Sequence, residues 1–347
     1  MSFEILSAGP MLTIQDEGRL GLRHQGISGA GPVDLPAMAM ANALTGNDPG
    51  AAVLEFAGPA GRFSCDSPLR FAVTGGKCVI RRDGQVLAWA EAHRLRPGEV
   101  LEIGAPQDTV WGYLALSGGI ATQPVLGARA THLRSGLGGV DGQRLRDGMH
   151  LPVGSAAEGP CLRAPSALIS ALQDGPIRIV PGPQDDFFTP EIRTRLLETP
   201  FFVTAQRDRM AMVLGGEELP AFRGHDIVSD GTVPGSIQVP GSAVPIVLLC
   251  ESQTSGGYPK IATVISTDLP RLAQMPVGAH FRFAVVTRDE AEEILIEARH
   301  RFRATLAGLV PKAEGELRSD YLLAQDLVGG VFEPEEIIRP VRRGGQS

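Results

Sequence analysis

P-I-V-L-L-C-E-S-Q-T-S-G-G-Y-P-K-I-A-T-V-I-S-T-D-L, residues Pro245 to Leu269, is the stretch on which the reading of the fold turns. An apolar run, Ile246 to Cys250, ends in a polar cluster of Glu251, Ser252, Gln253, Thr254 and Ser255. Gly256-Gly257, Tyr258-Pro259 and Lys260 follow, and a second apolar run extends from Ile261 to Ile265. Two runs rich in β-branched residues, separated by a glycine-containing segment, predict paired strands joined by an irregular loop. That loop displays small hydroxyl and amide side chains beside two residues without a Cβ, and then a cation. Paired glycines let successive backbone N–H groups point one way, which makes an anion receptor that Lys260 would strengthen. A hairpin with a wide bulge fits the same local pattern.

The rest of the chain supports a β reading. Its 347 residues allow two ordinary domains, and 43% hydrophobic against 20% charged residues leaves ample material for a core. The 43 Gly and 27 Pro punctuate the sequence every few residues, which favours turn-rich β architecture. From Ala52 to Gly119 short β-rich runs recur between Gly, Pro and Asp turns, and Arg82-Asp83-Gly84-Gln85 reads as a hairpin of the Asp-Gly type. Phe3 to Ile14 reads as one strand broken at Gly9-Pro10. Asp34 is positioned to cap a helix from Leu35 to Thr45, with Pro36 in the first turn and Gly46 ending it. Further helices are predicted around Thr189 to Leu197 and from Arg288 to Leu309, with acids in the first turn of the latter and arginines in its last. Val277 to Val286 reads as a closing strand. Gly118-Gly119 and Gly256-Gly257 each follow a buried strand, which suggests two similar halves divided near the Pro152 to Gly175 linker.

Charge and motifs exclude more than they assign. A net charge of −7 argues against nucleic acid or an acidic membrane as partner. No apolar run reaches membrane-spanning length and the N-terminus lacks a signal-peptide pattern, so a cytoplasmic location is expected. Cys65, Cys78, Cys161 and Cys250 have no C-x-x-C spacing and read as small buried hydrophobes. The seven histidines lack metal-ligand spacing, and no metal site is expected. There is no phosphate-loop motif, no H-E-x-x-H, no G-x-S-x-G and no biotinyl-lysine context. Two glycine-rich polar loops, Gln15 to Asp34 and Leu126 to Gly142, present Arg19, Arg23, His24, Arg129, His132 and Arg134. The residues by themselves thus predict an all-β protein with an anion-friendly site and no stated reaction.

Several ordered motifs go further. T-I-Q-D-E-G-R-L-G (Thr13 to Gly21), G-P-V-D running to T-G-N (Gly31 to Asn47), L-A-L-S-G-G-I (Leu114 to Ile120) and V-L-G-A-R-A-T-H-L-R-S-G-L-G-G (Val125 to Gly139) occur in succession. P-G-P (Pro181 to Pro183), D-R-M (Asp208 to Met210) and S-Q-T-S-G-G-Y-P-K-I (Ser252 to Ile261) complete the set. Together they resemble the KipA / allophanate hydrolase subunit 2 family of biotin-dependent carboxyltransferase-like proteins. The resemblance implies a mainly β fold of two cyclophilin-like β-barrel domains with a few peripheral helices, spanning residues 1–165 and 166–310. A C-terminal tail, 311–347, would dock on the body or on a partner.

Free-standing members of that family resemble the C subunit of bacterial 5-oxoprolinase, a complex that opens 5-oxoproline to glutamate with ATP. Implied with it are a KipI-like B subunit and a LamB/YcsF-like A subunit. A small amide or lactam substrate, and ATP with Mg at the level of the complex, are implied as well. The chain alone would be inactive. Other relatives imply a urea-carboxylase-type carboxyltransferase with biotin on a partner chain, or a non-catalytic partner that restrains a KipI-like protein. On the favoured reading Lys260, Arg209 and the Gly256-Gly257 amides hold a carboxylate or phosphate. Gln253 and Thr254 orient the amide, and Asp34 or Asp208 serves as base or positions a cation. Ser255, Tyr258 and His24 complete the expected binding set. The sequence departs from the family pattern at Ala211 after D-R-M, at Pro32-Val33, and at Ser255 and Lys260. Lys in place of Arg keeps the charge and loses the bidentate fork.

Overall fold

The break at Gly9-Pro10 is a corner. In the computed structural model, which describes residues 1–155, 158–164 and 175–312, strand Ser2–Ala8 lies in one sheet and Met11–Gln15 in another. A Cβ on Gly9 would stand 1.6 Å from the Pro59 carbonyl oxygen, so only glycine lets the two chains pass this closely. The paired stretch turns the same corner: Gly61–Cys65 is antiparallel to Ser2–Ala8, and Val53–Ala57 to Met11–Gln15. Three more strands join Val53–Ala57 and Met11–Gln15 to make a five-stranded sheet, of which Trp111–Leu116 is the centre. A six-stranded sheet holds the rest of this half and ends in the predicted hairpin. There Arg82 pairs with Gln85 across Asp83 (φ 46°) and Gly84 (φ 81°), the two left-handed residues that a twisted two-residue turn needs.

The five-stranded sheet is buried on both faces. Leu54, Phe56, Leu114 and Leu116 point into the core of the first half with Phe3, Phe63 and Leu101. Their alternate neighbours Val53, Trp111, Tyr113 and Ala115 point the other way, into a core shared with Ile177, Phe201, Val247 and Ile261 of the second half. Helix α1 (Leu35–Thr45) sends Met38 and Ala41 into that shared core, and Asp34 caps it and Gly46 ends it as the sequence predicts. Residues Met1–Lys312 accordingly form one compact unit; the larger sheets are segregated by half, and a two-stranded sheet of Leu162–Arg163 with Val310–Pro311 ties the end of the second half back to the first. The part of the predicted linker at 156–157 and 165–174, and the tail beyond Lys312, lie outside the described residues.

The second half is built on an eight-stranded sheet that almost closes on itself. Its order runs His280–Phe281, Phe201–Arg207, Ala211–Gly215, Ile246–Leu248, Ser236–Gln238, Lys260–Val264, Ile177–Pro181, Phe283–Val285. The first and last strands of that order are one continuous segment interrupted only by Arg282, so the predicted closing strand joins both edges. A closed sheet has no free edge to protect. The two apolar runs of Pro245 to Leu269 are not neighbours: Ser236–Gln238 lies between them and pairs with both. This corrects the expectation of a hairpin. An extended polar loop of ten or so residues lets its flanking strands separate by one position, and the Gly235 turn delivers the strand that fills the gap.

Helix α2 (Pro190–Glu198) is capped by Thr189, and α3 (Leu269–Gln274) follows the quoted stretch. Helix α4 (Arg288–Ala307) starts with a reciprocal capping box between Thr287 and Glu290 and has no fully buried residue. Its last turn carries no basic residue, because Arg299, Arg301 and Arg303 stop one turn short of the predicted end. The fold is the expected one, mainly β and barrel-forming with few helices.

Candidate functional site

Lys260 opens the strand Lys260–Val264 and is 2% exposed. Its Nζ lies 2.7 Å from Asp230 Oδ2, and the same oxygen accepts from Gln184 Nε2 at 3.1 Å. Gln184 Oε1 in turn accepts the Lys260 backbone N–H. Asp230 remains half exposed, and the Lys260 ammonium, then Gln184, draw its carboxyl down to about 2. The cation expected to stand free after the loop is therefore buried and paired, with its acid partner facing water.

Gly256 and Gly257 do not form the expected concave receptor. Neither adopts the left-handed conformation. Ser255–Gly256 instead makes a two-residue strand against Asp230–Gly231. Gly256 packs closely under two amide ends: a Cβ would sit 2.4 Å from Gln238 Nε2 and 3.2 Å from Gln253 Nε2 and would push them aside. Gln238 Nε2 is buried with no acceptor. Gln253, Ser255 and Tyr258 are exposed, Thr254 is half-buried, and the Thr254 and Gln253 carbonyls are held by Thr232. Lys260, Asp230, Gln184, Gln238, Gly256 and Gln253 thus form one polar cluster on the second barrel.

The start of the loop is pinned from the other half. Arg209, 1% exposed, bonds Glu55 through Nη1, Glu251 through Nε at 2.6 Å, and the Gly31 carbonyl through Nη2. The remaining oxygen of Glu55 accepts from Tyr113 Oη and from Val33 N–H, both at 2.8 Å. Burial opposes the Arg209 charge, but adjacent acidic groups, Glu251 among them, more than offset it and hold its pKa above the ordinary value. Burial pushes the Tyr113 hydroxyl well above its usual range. The expectation that Arg209 holds a ligand anion is corrected here: its donors are committed to two carboxylates and a carbonyl, and it acts as a strut between the halves. Glu55 is a residue that sequence reasoning missed. The signal was available: a lone acid in the otherwise apolar V-L-E-F-A strand, facing the same way as Val53.

Three predicted residues take structural positions. Asp34 Oδ1 caps α1 through Ala37 N–H and Oδ2 accepts from Gln274 Nε2, each at 3.0 Å, while burial raises its pKa. Asp208 is exposed, and its Oδ1 accepts the Met210 and Ala211 N–H groups in the turn between two strands. His24 is exposed in the short turn Arg23–Gln25. Its neighbours bring this loop onto the cluster: Arg23 Nη2 donates to the Thr232 and Gln253 carbonyls, and Ser28 Oγ to the Cys250 carbonyl. Among the described residues no group of three or more His, Cys, Asp or Glu could hold a metal ion.

Comparison with known proteins gives the family. Residues 25–285 match the model of the carboxyltransferase domain, subdomain A and B. The chain is 35% identical to the 5-oxoprolinase C subunit of Escherichia coli over 288 residues, 83% of this chain and 92% of that protein. It is 31% identical to the 5-oxoprolinase C subunit of Haemophilus influenzae over 84% of this chain and 93% of the other. The crystal structure of the urea amidolyase of K. lactis superposes with a TM-score of 0.81 at 23% identity, covering 92% of this chain and 20% of that one, which shows the shared fold. The chain belongs to the family of carboxyltransferase domains with subdomains A and B.

Proposed function

We propose that the chain is the C subunit of an ATP-dependent 5-oxoprolinase-type complex that opens 5-oxoproline to glutamate. The observation that carries this reading is its 35% identity to a 5-oxoprolinase C subunit over 92% of that protein's length. The geometry supports it in one respect above all. Lys260 is held by a single carboxylate that is half in water, so a ligand oxygen can displace Asp230 at small cost and take the ammonium as its partner. A cation and amide donors around a lactam carbonyl stabilise the negative charge that develops there during ring opening. Gln253, Thr254 and Ser255 provide exchangeable donors and acceptors for the ring amide. ATP with Mg, at the level of the complex, supplies the driving force for opening a stable amide; the described residues of this chain present no group fitted to the metal. A KipI-like B subunit and a LamB/YcsF-like A subunit complete the assembly, and this chain is inactive without them.

Omission tests this reading. Glutamate formation from 5-oxoproline and ATP is expected from the three chains together and is expected to vanish when this one is left out. An unchanged rate without it would refute the assignment. A second reading, a urea-carboxylase-type carboxyltransferase chain with biotin on a partner, is favoured by the urea amidolyase likeness, at lower identity. Avidin-sensitive carboxylation of urea would establish it.

A further inference from the structure

A cavity of about 610 Å³ lies between the 16–34 loop of the first half, the strand end at Leu249-Cys250, and the first turns of α4. Its wall is mostly apolar, with Val33, Leu249, Val264 and Leu269 among the lining. Arg19 and Arg23 line it too, and among the described residues neither forms an ion pair. Arg19 is 2% exposed; its Nε donates to the Val125 carbonyl, and both Nη atoms are buried without an acceptor. Asp16 and Glu251 are near enough for Arg19 to feel, but Asp16 accepts three backbone N–H groups and Glu251 is bonded to Arg209. Arg23 anchors Nη2 on two carbonyls, which leaves Nε and Nη1 free. The acids on the rim do not supply the missing charge: Glu292 pairs with Arg288, and the Glu17 carboxyl packs against Gly50.

The Arg23 guanidinium, half-desolvated and without a carboxylate, is costly unless an anion completes it, while the buried Arg19 charge, its Nη2 beside Gly138, adds positive field from behind the wall. Burial lowers the pKa of both below the arginine value, with no bonded carboxylate to restore it. The apolar wall adds a second requirement, a compact hydrocarbon body. We propose that this cavity binds a small monocarboxylate with an apolar ring, its carboxylate beside Arg23 in the field of Arg19 and its ring carbons against Val33, Leu249 and Val264. Resting on the function proposed above, the ligand is 5-oxoproline: the acid group is held here, and the lactam is turned toward the loop that Arg23 already touches through the Gln253 carbonyl.

Calorimetric titration of the assembled complex with three probes tests this: 5-oxoproline, 2-pyrrolidinone, which lacks the acid, and cyclopentanecarboxylate, which lacks the lactam. We expect both acids to bind and 2-pyrrolidinone to bind at least tenfold more weakly than 5-oxoproline. Arg23→Ala, at a half-buried surface position, should weaken both acids at least tenfold and raise KM for 5-oxoproline more than it lowers kcat. Arg23→Lys should recover part of the loss. Arg19→Leu gives the same result if it folds, and Arg23 decides the matter if it does not. Equal binding of 2-pyrrolidinone, or Arg23→Ala with unchanged affinity and KM, overturns the inference even if the complex turns over 5-oxoproline. If the complex fails to turn over 5-oxoproline yet binds cyclopentanecarboxylate in an Arg23-dependent way, the cavity stands as a carboxylate site and the oxoprolinase reading falls.

Discussion

Charge pairing decides what single residues can do in this protein. Arg209 lies between two buried acids, so Arg209→Met should strand Glu55 and Glu251 and cost about 3–5 kcal/mol, read as a lower urea midpoint. A variant as stable as the parent would show that the relay does not hold the halves. Lys260 differs in having a half-exposed partner. Lys260→Ala should lower turnover of the complex about 10²–10³-fold, the range seen when one charge-stabilising donor is lost, and should also lower the melting temperature because Asp230 loses its partner. Asp230 also predicts a pH dependence. Its folded pKa, about 2, lies below the unfolded value, so the stability it contributes is present above about pH 4 and is lost as pH falls through 2. Asp230→Asn should flatten the acid limb of melting temperature against pH in that window; an unchanged limb would mean the pair is not formed in solution. The sequence made Lys260 visible through its rarity, but not its burial, because Asp230 and Gln184 come from distant segments. Asp34 reads in the sequence as both cap and possible base. Its Oδ1 makes the cap, and its Oδ2 is taken by Gln274.

At the scale of elements, local chemistry was legible and long-range pairing was not. The Asp83-Gly84 hairpin, the cap at Asp34 and the Gly9-Pro10 break are signalled by residues within a few positions of one another, and all are found where the sequence places them. Strand order depends on partners far away. Nothing local to Ile246 or Ile261 shows that Ser236–Gln238 separates them. Gly256-Gly257 failed as a receptor for the same reason, since the group packed against Gly256 is Gln238, eighteen residues earlier. Gly9 offers a test of the corner. Gly9→Ala drives a methyl into the Pro59 carbonyl and should cost about 1–3 kcal/mol through forced backbone movement, measurable by thermal unfolding. No loss of stability would mean that the corner is slack.

At the scale of the whole molecule, the sequence divides into two halves but the core does not. Trp111, Tyr113 and Ala115 on one face of their strand belong to a core shared with the second barrel. A sheet buried on both faces reads as a continuous apolar run, and sequence cannot say what covers its second side. Residues 1–312 should therefore unfold together, with fluorescence and circular dichroism giving coincident transitions; two separated transitions would contradict the shared core. The same junction carries the candidate site, because the 16–34 loop of one half closes over the 251–260 loop of the other. The claim that this site serves lactam opening is tested most directly by ATP hydrolysis in the complex of this chain with its two proposed partners, with and without 5-oxoproline. 5-Oxoproline should stimulate hydrolysis, and glutamate should appear in step with the phosphate released. An assembled complex whose hydrolysis ignores 5-oxoproline and forms no glutamate would contradict it.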